Sequence, residues 1–154
     1  MEVSLRPLDA DTLDACWELK ISDQQMQEAF FDESTQAIIL RALKEVGLTR
    51  LVIYDELTNT AVGYAHIRNT PPSTDHDIGV FFIDERFQAK GYGMAALKQI
   101  IADLFARPDC QKITLTYMDF NEAAVFFYRK VGFVVVENDN GFIRTELVRD
   151  ALKQ

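Results

Sequence analysis

Histidine and cysteine are scarce in this sequence, with two of each in 154 residues. Cys16 and Cys110 have neither C-x-x-C spacing nor paired histidine neighbours, which argues against a disulfide framework or a zinc site; each is expected to be a small apolar filler. His66 and His76 are too few and too unassociated to suggest a metal, so no metal is expected. Apolar runs reach only strand or helix length, well short of a membrane span. Met1-Glu2-Val3-Ser4 is not a basic segment leading into an apolar one, so no membrane partner and a cytoplasmic location are expected. Basic side chains are the minority, 16 against 24 acidic ones. The resulting negative field repels phosphates, argues against a nucleic-acid partner and suits cationic small molecules, although net charge alone builds no site. No repeat, linker or low-complexity segment interrupts the chain. At 48% hydrophobic content, a single domain spanning 1–154 is expected, large enough for a core and a small-molecule cleft.

What is present is a series of short periodic segments. Val3 to Leu8 reads as a strand and Asp11 to Lys20 as a helix, with Leu13, Cys16 and Trp17 on one side. Ile21 to Phe31 carries Met26, Phe30 and Phe31, with Asp23, Glu28, Asp32 and Glu33 around them. It suits either a short helix packed on the core or one wall of an acceptor site. Ser34 to Val46 is predicted helical, with Ile39, Leu43 and Val46 in phase and a stop at Gly47. Leu51 to Tyr54 and Ala61 to Ile67 read as a hairpin, and Asn69 to Asp77, with Pro71-Pro72-Ser73-Thr74, as a surface loop. Ile78 to Ile83 is a nearly unbroken apolar run, the composition of a strand buried on both faces. Beyond Pro108, Lys112 to Tyr117 is a strand and Glu122 to Val131 a short helix. Val134 to Glu137 and Phe142 to Leu147 form a hairpin turning on Asn140-Gly141. The order implies an α/β (α+β) fold with a mixed, mainly antiparallel sheet of about seven strands flanked by about four helices. One strand-helix-strand crossover makes the central pair parallel.

That crossover contains Gln88-Ala89-Lys90-Gly91-Tyr92-Gly93-Met94, a loop stripped of bulk between the Ile78 to Ile83 strand and a helix marked by Leu97, Ile100, Ile101, Leu104 and Phe105. Amides at a helix N-terminus are unpaired and carry the positive end of the helix dipole, and glycine lets a ligand approach them, so the loop reads as a pyrophosphate cradle. Two other readings exist. The glycines could only turn the chain, or Gly91-Tyr92-Gly93-Met94-Ala95-Ala96 could be the G-x-G-x-x-G/A dinucleotide fingerprint. The fingerprint expects its first glycine at the strand end, whereas Asp84 to Lys90 intervene here, and only one further strand-helix pair follows.

Gln88-x-x-Gly91-x-Gly93 after a strand, followed by a second strand and Asn121-x-x-Ala124-x-x-Phe127-Tyr128-x-x-x-Gly132-Phe133, resembles the GCN5-related N-acetyltransferase superfamily. The resemblance extends in element order over nearly the whole chain. It implies acetyl-CoA as acetyl donor, with CoA as product. The pyrophosphate would lie on Gln88, Ala89, Lys90, Gly91, Tyr92, Gly93 and Met94, and the pantetheine arm between splayed parallel strands, Ile78 to Ile83 and Lys112 to Tyr117. Phe81 and Ile83, two residues apart on one strand edge, are expected to hold the acetyl carbonyl and the first pantetheine amide. Asn121 would meet the cofactor arm. Tyr128, just after Phe127, would stand beside the thioester sulfur as general acid, protonated at neutral pH with an unperturbed pKa near ~10.

Each residue also has a plainer reading. Ala124, Phe127, Tyr128 and Val131 form an i, i+3, i+4, i+7 packing stripe, and Asn121 is a good helix N-cap. Lys90, Arg129 and Lys130 are either phosphate contacts or solvated surface charge. For the general base, Asp75, His76, Asp77, Asp84 and Glu85 bracket the strand and no single one is assigned.

Phe82-Ile83-Asp84-Glu85-Arg86-Phe87-Gln88 followed by Gly91-Tyr92-Gly93 is similar to the bacterial diamine and polyamine acetyltransferase subgroup. This implies a small amine acceptor, with a polyamine held by an acidic wall. A protein N-terminus or lysine, or binding of acetyl-CoA without turnover as a sensor or interaction module, remain open as alternatives. A homodimer is expected, since relatives are often dimers and the final hairpin offers an exposed edge.

Overall fold

The computed structural model describes residues 2–30 and 33–149. Phe31, Asp32 and the side chain of Phe30 lie outside the described residues. The strands are β1 (Val3–Pro7), β2 (Leu48–Asp55), β3 (Thr60–Arg68), β4 (Asp75–Ile83), β5 (Lys112–Met118), β6 (Val134–Asp139) and β7 (Phe142–Val148). They form one seven-stranded sheet in the spatial order β1-β2-β3-β4-β5-β7-β6. All neighbours run antiparallel except β4 and β5, which are parallel across the expected crossover. The helices are α1 (Leu13–Trp17), α2 (Asp23–Phe30), α3 (Thr35–Lys44), α4 (Tyr92–Phe105) and α5 (Glu122–Val131), with a 3-10 turn at Glu85–Phe87. Against an expectation of about four, the described residues hold five helices, because the ambiguous segment after Ile21 is helical.

Local chemistry accounts for most boundaries. The Ser34 hydroxyl accepts the Ala37 amide at 3.0 Å and starts α3, and Thr35, Ile38, Ile39 and Ala42 form its buried face. Leu43 and Val46, expected in phase with that face, are exposed at 41% and 98%. The helix ends at Lys44 because Glu45 is extended, with ψ 128°. The first helix is shorter than Asp11 to Lys20: after Trp17 the chain leaves the helix to bury Leu19 against the sheet. Asp75 to Asp77, expected in a loop, extend β4 and pair with Lys112 to Thr114. The final hairpin turns where the sequence placed it, with Asn140 at φ 52° and Gly141 at φ 93°, the positive φ pair of a type I′ turn.

The sheet is covered on both faces. Cys16, Leu19, Ile38, Ile39 and Ala42 pack on Val52, Tyr64, Val80 and Phe82 on one side. Leu97, Ile100, Ile101 and Leu104 of α4 pack on Ala65, Ile67, Ile78, Ile113 and Leu115 on the other. This sandwich buries β3 on both sides from Ala61 to Ile67. Both cysteines are free and fully buried, and burial pushes the Cys16 thiol up to about 12. At the far edge, β6 is exposed along its whole length.

One feature of the sheet creates a site. β4 pairs with β5 only at Asp75 to Asp77. It stays with β3 to Ile83, while β5 stays with β7 to Met118. From Ile78 onward the parallel strands part and leave a wedge.

Candidate active site

The wedge opens into a cleft of about 560 Å³. Asp84 donates its amide to Val62 O of β3 at 2.8 Å. By strand alternation, the peptide groups of Ile83 and Phe81 therefore face the other way, onto the open edge. There Ile83 O accepts from Gln88 Nε2 at 2.8 Å. Gly63 permits the tight approach of β3 that holds β4 in place: a Cβ at Gly63 would lie 2.5 Å from Phe82 O and 2.8 Å from Ile83 Cδ1.

The loop between β4 and α4 is curled by two left-handed residues, Ala89 at φ 59° and Gly91 at φ 93°. Such a backbone makes a concave row of amides. The first i→i−4 bond of α4 runs from Ala95 N to Gly91 O at 3.1 Å. The amides of Tyr92, Gly93 and Met94 lie ahead of it, and Gly91 supplies no side-chain cap. A Cβ at Gly93 would point at Ile83 and Phe127 at ordinary contact distances of 3.6 and 3.7 Å.

Helix α5 lies across the mouth of the wedge. Successive residues stack on opposite arms: Phe127 on Phe81 of β4, centroids 6.3 Å apart, and Tyr128 on Tyr117 of β5, 5.8 Å apart. Phe133 meets Tyr128 edge-on. The Tyr128 hydroxyl has no hydrogen-bond partner among the described residues, and the residue lines the cleft. Desolvation, helped by Tyr117, raises its pKa above the ordinary phenol value. Asn121 caps α5, its Oδ1 accepting the Ala124 amide at 3.2 Å.

Of the residues singled out in the sequence, Phe81, Ile83, Gln88, Ala89, Gly91, Gly93, Met94, Asn121, Phe127 and Tyr128 line this one cleft. The side chains of Lys90 and Tyr92 do not. Tyr92 donates to Asp55 and meets Phe87 edge-on, which ties the loop to the β2–β3 hairpin. Lys90 lies over the Phe87 ring at 5.9 Å. Lys130 reaches the cleft wall.

None of the five groups considered as general base lines the cleft. Asp75, His76 and Asp77 belong to the joined end of the wedge, where Asp77 accepts from Thr114 Oγ1 at 2.7 Å. Glu85 lies in the 3-10 turn. Asp84 is fully buried and accepts from the amides of Lys20 (2.9 Å) and Arg86 (2.8 Å) and from Arg86 Nε (2.9 Å). Burial works to raise its pKa, but these hydrogen bonds outweigh it and hold the carboxyl below its usual range. Asp84 is a structural anion. The one carboxylate in the cleft wall among the described residues is Glu28 on α2. Sequence reasoning placed it only in a broadly acidic segment. Gln24 Nε2 donates to Glu28 Oε1 at 2.9 Å.

Among the described residues, loop amides ahead of the first helical bond lie at one end, a strand edge without a neighbouring strand lies in the middle and aromatic rings form an apolar floor, an arrangement that suits a long, amide-bearing, phosphorylated ligand. A second hollow of about 650 Å³ lies among Arg6, Asp9, Asp11, Thr12, Tyr54 and Thr60. Several of its polar groups are engaged locally, with Arg6 over the Tyr54 ring, Thr12 Oγ1 on Pro7 O and Asp9 on the Asp11 amide. Among the described residues no group of three or more His, Cys, Asp or Glu is placed to hold a metal, and no helix is long and apolar enough to cross a membrane.

Known proteins resemble this chain in sequence and in fold. A spermine/spermidine N(1)-acetyltransferase of Bacillus subtilis (strain 168) is 30% identical over 141 residues, covering 86% of this chain and 88% of that protein. The spermidine N-acetyltransferase of Vibrio cholerae, solved with CoA and spermine, superposes with a TM-score of 0.78 at 18% identity, covering 99% of this chain and 98% of that one. The PaiA N-acetyltransferase of Thermoplasma acidophilum, solved with coenzyme A, gives 0.69 at 16% identity, covering 96% and 99%. Residues 11–133, which hold both halves of the wedge, the amide loop and α5, match the Acetyltransferase (GNAT) family, and this chain is a member of that family and an acyltransferase.

Proposed function

We propose that this acyltransferase moves the acetyl group of acetyl-CoA to a primary amine of a small polyamine by direct attack, with Tyr128 as general acid. The observation that carries the reading is the convergence in one cleft of free loop amides, an open strand edge, an unbonded phenol and a single carboxylate. The two relatives named for spermidine or spermine support the choice of acceptor.

Bound acetyl-CoA supplies the activated acyl carbonyl. The amides from Gln88 to Met94 hold its pyrophosphate, the peptide groups of Phe81 and Ile83 face its arm and acetyl carbonyl, and the Asn121 side-chain NH₂ donates to the arm. Phe81 and Phe127 keep water away from the reacting centre. Tyr128 holds a proton on its hydroxyl throughout the physiological pH range, because its raised pKa keeps it neutral; it gives that proton to the departing thiolate, and the phenolate so formed takes up the proton that the acylated nitrogen sheds, which yields the amide and the free thiol and restores the phenol. Glu28 pairs with a second ammonium of the acceptor and sets which nitrogen reaches the thioester. The enzyme works in the cytoplasm as one domain, and its exposed β6 edge supports pairing into a homodimer.

The test is thiol release from acetyl-CoA with spermidine, spermine, putrescine and a simple monoamine, alongside a no-enzyme control. Selective turnover of the polyamines is expected, as is a several-fold rise in spermidine KM for Glu28→Gln with monoamine kinetics unchanged. Indifference to all three polyamines overturns the acceptor. Binding of acetyl-CoA without turnover of any amine favours a sensor.

A further inference from the structure

Two segments more than sixty residues apart in sequence are laced together beside the cleft. Glu85 N donates to Lys20 O at 2.8 Å and Lys20 N to Asp84 Oδ2 at 2.9 Å. Farther along, Gln25 and Gln88 exchange both amide hydrogen bonds: Gln25 Nε2 donates to Gln88 Oε1 at 2.7 Å, and Gln88 Nε2 to Gln25 Oε1 at 2.9 Å.

Each glutamine has a further duty that makes this pair more than a surface contact. Gln88 Nε2 also bonds Ile83 O on the open edge of β4. Gln25 Oε1 accepts the Ser22 amide at 3.3 Å while its own amide bonds Ser22 Oγ at 3.2 Å, the reciprocal capping box of Ser22-Asp23-Gln24-Gln25. An unbroken chain of hydrogen bonds therefore runs from the edge of β4, through the first residue of the amide loop, into the cap of α2. Glu28 stands one turn further along that helix.

We infer that Gln25 is a positioning residue that couples the donor side of the cleft to the acceptor side. A ligand that fixes the loop fixes Gln88, and through the amide pair it fixes the first turn of α2 and the place of Glu28. The two binding events are then linked, and linkage is reciprocal: occupying either side favours the other. The inference rests on the proposed function for the identity of the two sides, while its evidence lies in this chain's own contacts.

Hydrogen–deuterium exchange tests the coupling without an acceptor or turnover. CoA added to the wild type is expected to slow exchange of the α2 amides from Gln25 to Glu28 several-fold, beside the protection of residues 88–94. In Gln25→Ala the loop protection should remain and the α2 response should disappear. Gln25→Met keeps the length of the side chain and the bond from the residue-25 backbone amide to Ser22 Oγ, and so half of the cap, but loses both bonds to Gln88; it should also uncouple α2 and carries the test if the alanine variant folds poorly. An α2 response equal in wild type and Gln25→Met, or absent from a wild type whose loop is protected, overturns the coupling and leaves the reaction untouched. A wild type that shows no CoA protection anywhere overturns the functional reading together with the coupling.

Discussion

The two ends of the β4–β5 pair differ in how the backbone is satisfied. At the joined end, Asp75 to Asp77 and Lys112 to Thr114 bond each other, Thr114 reinforces the join through Asp77, and Lys112 pairs with Glu146 of β7 at 3.1 Å. At the open end the same strands turn edges without a neighbouring strand to a cleft floored by rings, with Ile83 O bonded to the Gln88 side chain, and they are held apart from outside. Asp84 is pinned by Lys20 and Arg86, β3 presses close at Gly63, and α5 props both arms with Phe127 and Tyr128. Leaving peptide groups unpaired inside a protein is costly. The open end therefore depends on its scaffold and supplies what a ligand amide needs, whereas the joined end is structurally complete.

Tyr128→Phe should break the open end chemically with the largest effect. Turnover is expected to fall by about 10² to 10⁴, the range for loss of a general acid, with CoA affinity unchanged by calorimetry. A wild-type rate would return Tyr128 to a packing role. Next in size, Asp84→Ala strips a buried acceptor from Lys20 and Arg86 and should lower stability by about 3 kcal/mol in urea unfolding. Asp84 also makes the open end sensitive to acid. Because its folded pKa lies below the ordinary carboxylate value of about 4, its stabilising contribution is complete above that pH and is lost as pH falls through the folded pKa. Asp84→Asn should flatten that part of the stability-pH curve.

Gly63→Ala drives a methyl against a main-chain oxygen and should cost about 2 kcal/mol in the same unfolding assay, with a raised KM for acetyl-CoA as the β4 edge shifts. The smallest effect belongs to the joined end. Thr114→Val removes the bond to Asp77 and should cost about 1 kcal/mol while leaving kcat/KM unchanged. A large catalytic loss from Thr114→Val would show that the ends are not independent and would refute the comparison.

Much of this architecture was legible because the signals are local. Leu97, Ile100, Ile101 and Leu104 recur at helical spacing and are buried as one face. Asn140-Gly141 has the two residues most tolerant of positive φ, and the turn falls on them. Asn121 precedes a helix and caps it. Errors arose where tertiary packing overrode a local pattern. Leu43 and Val46 continued the helical period, but Leu43 lies outside the buried face that Thr35, Ile38, Ile39 and Ala42 form, and Val46 falls beyond the end of α3 at Lys44. Asp75-His76-Asp77 read as loop with the preceding Pro71-Pro72-Ser73-Thr74, yet the sheet takes them as strand and buries His76 to 1% exposure.

The sequence by itself determined the order of elements, the amide loop at the start of α4 and the aromatic pair Phe127-Tyr128 on one helix, since spacing, glycine conformational freedom and capping act over a few residues. Only the tertiary structure decided which carboxylate faces the cleft, which is locked away as a structural anion and which glutamines join its two walls. Glu28, Asp84 and the Gln25–Gln88 pair differ from their sequence neighbours in nothing that composition can register. Lys20 and Gln25 lie more than sixty residues from their partners Asp84 and Gln88, and chain packing alone brings these within hydrogen-bond reach and Glu28 into the cleft wall.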